Sequence, residues 1–234
     1  FLLLLPLLAN WPAVQTALGF TQPAAWPVVA MLAGLILLTG MIFWATLTAI
    51  SLLIRGGPAA LPLLVVTVVQ HFYLVLPLGS GVILLYFIPH GWFWLVLAFG
   101  STWVSDVLAF FVGVTLGRHK IVPQISPKKS VEGSLGGLLG GILASTVVMP
   151  FVFEQSFATY LRQPLLLTAT VLIGMLLSTA SQFGDWMASG IKRWCDVKDF
   201  GHWLPGHGGI LDRFDGILFT LPLTGLLAFA ISLF

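Results

Sequence analysis

Charge is what this chain has least of: Asp, Glu, Lys and Arg make up 8% of its 234 residues, against roughly a quarter in soluble globular domains. That scarcity excludes a large solvated surface. One cysteine, Cys195, is present, so no intrachain disulfide framework can form, and a lone thiol beside an apolar segment reads as a bystander near a membrane interface. Internal repeats, coiled-coil heptads and low-complexity tracts are absent as well. A net charge of +2 carries little information, and no nucleic-acid partner is expected.

What remains is apolar: 58% of residues are hydrophobic and the mean hydropathy is +1.03. An all-α, polytopic integral membrane protein is the fold class this composition implies. With ~20 apolar residues needed per crossing, the chain accommodates about seven spans. Apolar stretches between breakers place them near 1–20, 26–54, 58–88, 91–117, 131–152, 164–191 and 211–234. This suggests N-terminal transmembrane helices over 1–90 and a catalytic transmembrane region over 91–234, with loops at 118–130 and 192–211. The chain starts at Phe1 without an initiator Met, so its true N-terminus is expected upstream. A signal peptide fits 1–20 poorly, because there is no basic leader and Pro6, Asn10 and Pro12 interrupt the run.

Orientation follows Lys and Arg in short loops. Arg118, His119, Lys120, Lys128 and Lys129 form one basic group, and Lys192, Arg193 and Lys198 another. Two spans separate them, so both fall on the cytoplasmic side. Arg55 joins them there if 58–88 is one span bent at Pro77 and Gly79, and the C-terminus then lies outside.

Fifteen of the eighteen charged side chains fall in two windows, Asp106 to Glu132 and Asp185 to Asp215; Arg55, Glu154 and Arg162 are the rest. Ionisable residues in lipid are costly and mark function by default. In the first window Asp106 shares a helix face with Ala109, Gly113 and Gly117, where it either hydrogen-bonds structurally or borders a ligand channel. Pro127 then breaks the chain, and Ser130 can cap the next helix. That helix carries Gly133, Gly136, Gly137, Gly140, Gly141 and Ala144 at spacings of three and four. Such a face favours close packing, although Gly133 could also leave room for a ligand.

In the second window Ser178, Gln182, Asp185, Ser189 and Lys192 follow at spacings of four, three, four and three, which puts them on one helix face. The other faces are too apolar for water, so this stripe should line a polar cavity. A glycine-rich stretch follows, Lys198-Asp199-Phe200-Gly201-His202-Trp203-Leu204-Pro205-Gly206-His207-Gly208-Gly209, of a kind whose backbone amides can cradle phosphate. Asp212 and Asp215 are three apart at the start of the last span, and on a helix they would face the same way. Helix N-terminal acids explain them blandly; beside Asp185 and several lysines, they also suit a Mg²⁺ site for nucleotide chemistry. His202 reads as structural or solvent-facing.

From Ser189 to Asp215, twenty-seven positions, the chain resembles the signature of phosphatidate cytidylyltransferases, also called CDP-diacylglycerol synthases. The matching residues are Ser189, Ile191-Lys192-Arg193, Lys198-Asp199, Gly201, Leu204-Pro205, His207-Gly208-Gly209-Ile210 and Asp212-Arg213-Phe214-Asp215, with Gln182, Gly184 and Asp185 upstream. The first window is similar to the same family's Asp-x-x-Ala-Tyr-x-x-Gly and Ser-Pro-x-Lys-Thr-x-Glu-Gly elements. Phe110 stands in place of the Tyr, and Ser130 in place of the Thr. The serine keeps a hydroxyl, whereas any role needing a phenol at 110 is lost. The resemblance covers roughly 75–234 and is strongest over 101–137 and 181–217.

It implies transfer of a cytidylyl group from CTP to phosphatidic acid, with release of pyrophosphate, at the cytoplasmic face of a bacterial membrane. Asp185 and Asp212 would be metal ligands, and Asp215 a third ligand or an orienting base; Asp212, Asp215 and Lys192 form the implied catalytic set. Lys192, Lys198, Arg213 and Lys129 would clamp phosphates, and Ser189, Ser130 and His207 would donate hydrogen bonds. Arg193, Gly208 and Gly209 complete the substrate-binding set, while Asp199 would steady Lys198. Asp106 is a further candidate without a defined role. Mg²⁺ is the implied cofactor, a second cation is allowed, and the expected partners are CTP, phosphatidic acid and the bilayer. A homodimer rests only on the small-residue faces.

Two other readings compete. CTP-dependent polyprenol or phytol kinases are similar membrane proteins with related motifs, but would release CDP instead of pyrophosphate. An ion-coupled transporter could also place Asp106, Asp185 and Lys192 in an intramembrane path, yet no inverted repeat is visible. The Asp-Gly-x-x-Ala-Arg motif of CDP-alcohol phosphatidyltransferases is missing.

Overall fold

The computed structural model describes residues 26–123, 125–201 and 209–232. The expected span near 1–20 lies outside the described residues, as do His202, His207 and Gly208. Among the described residues the chain is helical without strands: α1 (Trp26–Gly56), a 3₁₀ turn (Gly57–Ala60), α2 (Leu61–Phe87), α3 (Gly91–Thr115), α4 (Val131–Val152), α5 (Phe157–Tyr160), α6 (Pro164–Trp194), α7 (Leu211–Phe214) and α8 (Ile217–Ser232). Four stretches are long and apolar enough to cross a membrane, Gly34–Leu85, Gly91–Thr115, Val131–Val152 and Pro164–Trp194, and Ile217–Ser232 is a shorter apolar helix. The all-α membrane class is therefore what the sequence implied.

Two compact units emerge. One comprises residues up to Trp92 together with those from Gly225 onward. In it α1 and α2 pack against each other across the turn where Gly57 has φ +56° and Pro58 opens the 3₁₀ helix. Pro77 lies inside α2 without ending it, so Leu61–Phe87 is one helix within the expected span 58–88. Gly225 of α8 belongs here, facing Ser80 of α2.

The other unit, Phe93–Thr224, holds both charged windows. Its centre is α4, whose glycines serve two neighbours in turn. A Cβ on Gly136 would stand 2.7 Å from Val112 Cβ, and one on Gly140 2.6 Å from the Val104 carbonyl, both on α3. On the other side, a Cβ on Gly137 would meet Gln182 Nε2 at 2.7 Å, and Gly141 abuts Gly174 and Ser178 of α6. Backbones approach this closely only where side chains are missing. Gly133 is likewise filled from within, by the Ala109 carbonyl and Gly113 Cα, so no ligand space opens there. The face that suggested a homodimer is spent inside the chain. Hydroxyls complete the seam: Ser105 and Ser178 hydrogen-bond at 2.8 Å, and Gln182 donates to the Ser134 carbonyl at 3.1 Å.

Gly140→Ala should therefore overpack the α3–α4 contact and destabilise the protein by ~1–3 kcal/mol, seen as a lower thermal midpoint in detergent. Gly100→Ala on α3, where nothing lies within 4 Å of the added carbon, should leave the midpoint unchanged or slightly raised.

Candidate active site

The loop after α3 is pinned at its base. Lys120 and Ser130 form an isolated antiparallel bridge, Val131 N–H donates to the His119 carbonyl at 2.8 Å, and Ile121 N–H to that of Lys129 at 3.4 Å. Glu132, in the first turn of α4, accepts from the Arg118 amide at 3.0 Å and contacts His119 Nδ1 at 2.6 Å. Ser130 is the N-cap of α4, accepting from Gly133 N–H at 3.1 Å, and is buried. Its hydroxyl is thus committed to the helix start. Lys128 is exposed, whereas Lys129 turns inward.

Lys129 ion-pairs with Asp185 of α6 and lies 5.7 Å from the centroid of the Trp186 ring, within the range of a cation–π contact. Asp106 on α3 feels the charges of Asp185, Asp215 and Lys129. Asp215 in turn feels Asp185, Lys192 and Lys129. Asp185 thus pairs with Lys129 directly, and Asp106 and Asp215, from two other parts of the chain, are electrostatically coupled to that pair. As packed, no group of three or more His, Cys, Asp or Glu encloses a metal position among the described residues. The donor set nevertheless suits Mg²⁺, which binds one or two carboxylates and fills its remaining positions with water and substrate phosphate, and a cationic group already rests among these acids.

The α6 stripe ends as the sequence indicated, with Lys192 facing inward and Ser189 half-buried. Termination is a Schellman arrangement: Val197 N–H donates to the Lys192 carbonyl at 2.9 Å and Asp196 N–H to that of Arg193 at 3.2 Å, with Asp196 at φ +54°. This turn sends the chain into the glycine-rich loop. Lys192 Nζ donates to Asp212 Oδ1 at 2.8 Å, while Asp212 Oδ2 accepts from Phe200 N–H at 2.9 Å and Gly209 N–H at 3.0 Å. Loop amides expected to face phosphate thus hold a carboxylate of the chain itself. Phe200 also lies 5.4 Å from Lys192 Nζ. Burial tends to raise the Asp212 carboxyl pKa, but the Lys192 ammonium and the two amides outweigh it and hold it below the usual value. The stability so gained is present above the ordinary carboxylate pKa and is lost as pH falls through the lower folded one.

Asp212 and Asp215 do not act as one pair on one helix. Asp215 Oδ1 accepts its neighbour's amide, Gly216 N–H, at 2.8 Å, and the helix is interrupted between Phe214 and Ile217. Gly216 packs there against Ser181 and Thr102. Asp212 consequently serves the loop, while Asp215 accepts from its neighbour and feels the charges of Asp185, Lys192 and Lys129. Arg193, Lys198 and Arg213 are exposed, while Gly209 is buried. Glu132, Trp186 and Phe200 escaped the sequence reading as site residues. For Glu132 the signal was an acid two residues beyond a helix cap, beside a basic loop.

Residues 4–231 match the family model described as the cytidylyltransferase family. The phosphatidate cytidylyltransferase of Bacillus subtilis is 40% identical over 132 residues, covering 56% of this chain and 45% of that protein. Those of Staphylococcus saprophyticus and Staphylococcus aureus are 41% and 37% identical over 137 and 139 residues, each covering 58% of this chain and 49% of the relative. The match thus spans about half the length of these bacterial relatives. Because the family model covers nearly the whole chain, both charged windows included, the chain belongs to the cytidylyltransferase family.

Proposed function

We propose that this chain transfers the cytidylyl group of CTP to phosphatidic acid, forming CDP-diacylglycerol and pyrophosphate in phospholipid synthesis. The observation that carries the reading is the pairing of two cation–carboxylate centres, Lys129–Asp185 and Lys192–Asp212, at the ends of apolar helices. The similarity to bacterial phosphatidate cytidylyltransferases supports it.

In the reaction an oxygen of the lipid phosphate attacks the α-phosphorus of CTP. A new P–O bond forms, the bond from the α-phosphorus to the bridging oxygen breaks, and pyrophosphate leaves with the electron pair. A phosphate monoester is largely ionised near neutral pH, so a general base has little to do. The protein's task is to hold two anions together and stabilise the departing charge. Lys129 and Lys192 would do this from their ion pairs with Asp185 and Asp212, and the exposed Arg193, Lys198 and Arg213 would receive phosphates; Ser189, His207 and Gly208 would add donors. Asp185 and Asp215, with Asp106 beside them, would hold Mg²⁺, which supplies charge neutralisation on the phosphates. Asp212 would meet such an ion only alongside Lys192, since both its oxygens are engaged. Acyl chains would stay in the bilayer, with CTP arriving from the cytoplasmic side, where the basic loops belong.

The protein in detergent, given phosphatidic acid, Mg²⁺ and CTP, should release pyrophosphate and form CDP-diacylglycerol. Release of CDP with a phosphorylated lipid would replace this reading by a kinase.

A further inference from the structure

The two lysine–aspartate pairs differ in how far each acid is satisfied. Asp212 is closed: Lys192 takes one oxygen and two backbone amides the other, and the side chains are 14% and 10% exposed. Asp185 is open. Its side chain is 35% exposed, its contact is with Lys129 through Oδ2, and no other hydrogen-bond partner meets it among the described residues. Lys129 Nζ is itself buried, and the charges it faces besides Asp185 are the carboxylates of Asp106 and Asp215. It therefore pairs with Asp185 of α6 and is coupled by charge to Asp106 of α3 and to Asp215, between α7 and α8.

Its backbone is held while its side chain is long. The bridge between Lys120 and Ser130, together with Glu132 on the Arg118 and His119 amides, fixes the residue's origin. Four methylenes then carry a compact ammonium whose rotamers can redirect it without moving the loop. Trp186 offers a face to the ammonium near Asp185, so leaving the acid does not strand the charge in an apolar site.

We propose that Lys129 is an exchangeable counter-ion of this cluster: it neutralises Asp185 while no divalent cation is bound there, and passes to a substrate phosphate when one is. The inference rests on the metal-dependent reading above. Charge explains the exchange, since Asp185 is 35% exposed and coupled to two further acids against one ammonium, which favours a further cation, and Asp185 is freed at the moment a phosphate becomes available to Lys129. Lys192 takes no part in it, because Asp212 holds it from a saturated site.

The test is direct binding of Mn²⁺, without nucleotide, followed by the paramagnetic resonance signal of the free ion. Lys129→Met should bind Mn²⁺ about tenfold more tightly than the unaltered protein, because a competing cation is gone. With Mn²⁺ present, its affinity for CTP should fall about tenfold. Lys129→Gln, similar in length and uncharged, serves if the Met variant is not monodisperse. Unchanged or weaker Mn²⁺ binding in these variants, with binding abolished in Asp185→Asn, would overturn the exchange and leave the metal site standing. Failure of every form to bind Mn²⁺, or undiminished binding in Asp185→Asn, would overturn the metal reading and the exchange with it.

Discussion

Asp185→Asn should lower cytidylyl transfer by about 10³-fold while leaving the protein folded. The amide is nearly the same size, so the packing of α6 against α4 is kept, and Gly184, Ser181 and Ala188 still fill the buried side of the helix. What is lost is one negative charge, and with it both the proposed hold on Mg²⁺ and the partner of Lys129. Removing a single preorganised electrostatic group from an active site commonly costs 10²–10³-fold in rate, and loss of a metal ligand adds to that. Stability should change little, because the Asp185 side chain is 35% exposed and Asp106 and Asp215 remain to offset the Lys129 charge. The measurement is initial rate of pyrophosphate release beside thermal unfolding of the same preparation. A variant that keeps more than a tenth of the activity would remove Asp185 from the chemistry.

Lys192→Met should fail in a different way, losing activity and stability together. Its ion pair with Asp212 is nearly enclosed, and removing one partner of such a pair leaves a charge with poor solvation, at a cost of ~3 kcal/mol. The Phe200 and Gly209 amides would still hold Asp212, which keeps the loss at the lower end of that range. Adding Asp212→Asn removes the stranded charge while keeping an oxygen for those amides. The double variant should therefore recover most of the unfolding temperature and none of the activity. Recovery of both would make the pair a structural strut; recovery of neither would mean that the loop depends on the charges themselves.

The contrast between these two acids marks the limit of reading the chain in one dimension. Asp185, Asp212 and Asp215 were legible as a set because carboxylates are so rare here, and spacing placed Ser178, Gln182, Asp185, Ser189 and Lys192 on one face of α6. Spacing also put Asp212 and Asp215 together, and this did not hold. Asp215 captures the amide of Gly216, the helix is interrupted there, and the two carboxylates take different partners. No local propensity announces that event, since it depends on Gly216 packing against Ser181 and Thr102 from other helices.

The glycines of α4 tell the same story. Their spacing shows that something must approach closely, but α3 and α6 sharing them alternately is a fact of packing. Asp106 is the clearest case: a single acid in an apolar helix has no partner within its own sequence neighbourhood, and its company of Asp185, Asp215 and Lys129 comes from segments 23 to 109 residues away.

Composition and periodicity determined the membrane class, the positions of the apolar helices and the two stretches where charge is concentrated, because each depends on local transfer energies summed along the chain. The assignment of partners, Lys129 to Asp185 and Lys192 to Asp212, came only with the packed helices. Ion pairing depends on distance in space, and any of the inward lysines could have met any of the three acids until the glycine seams and the Schellman turn set where each side chain begins.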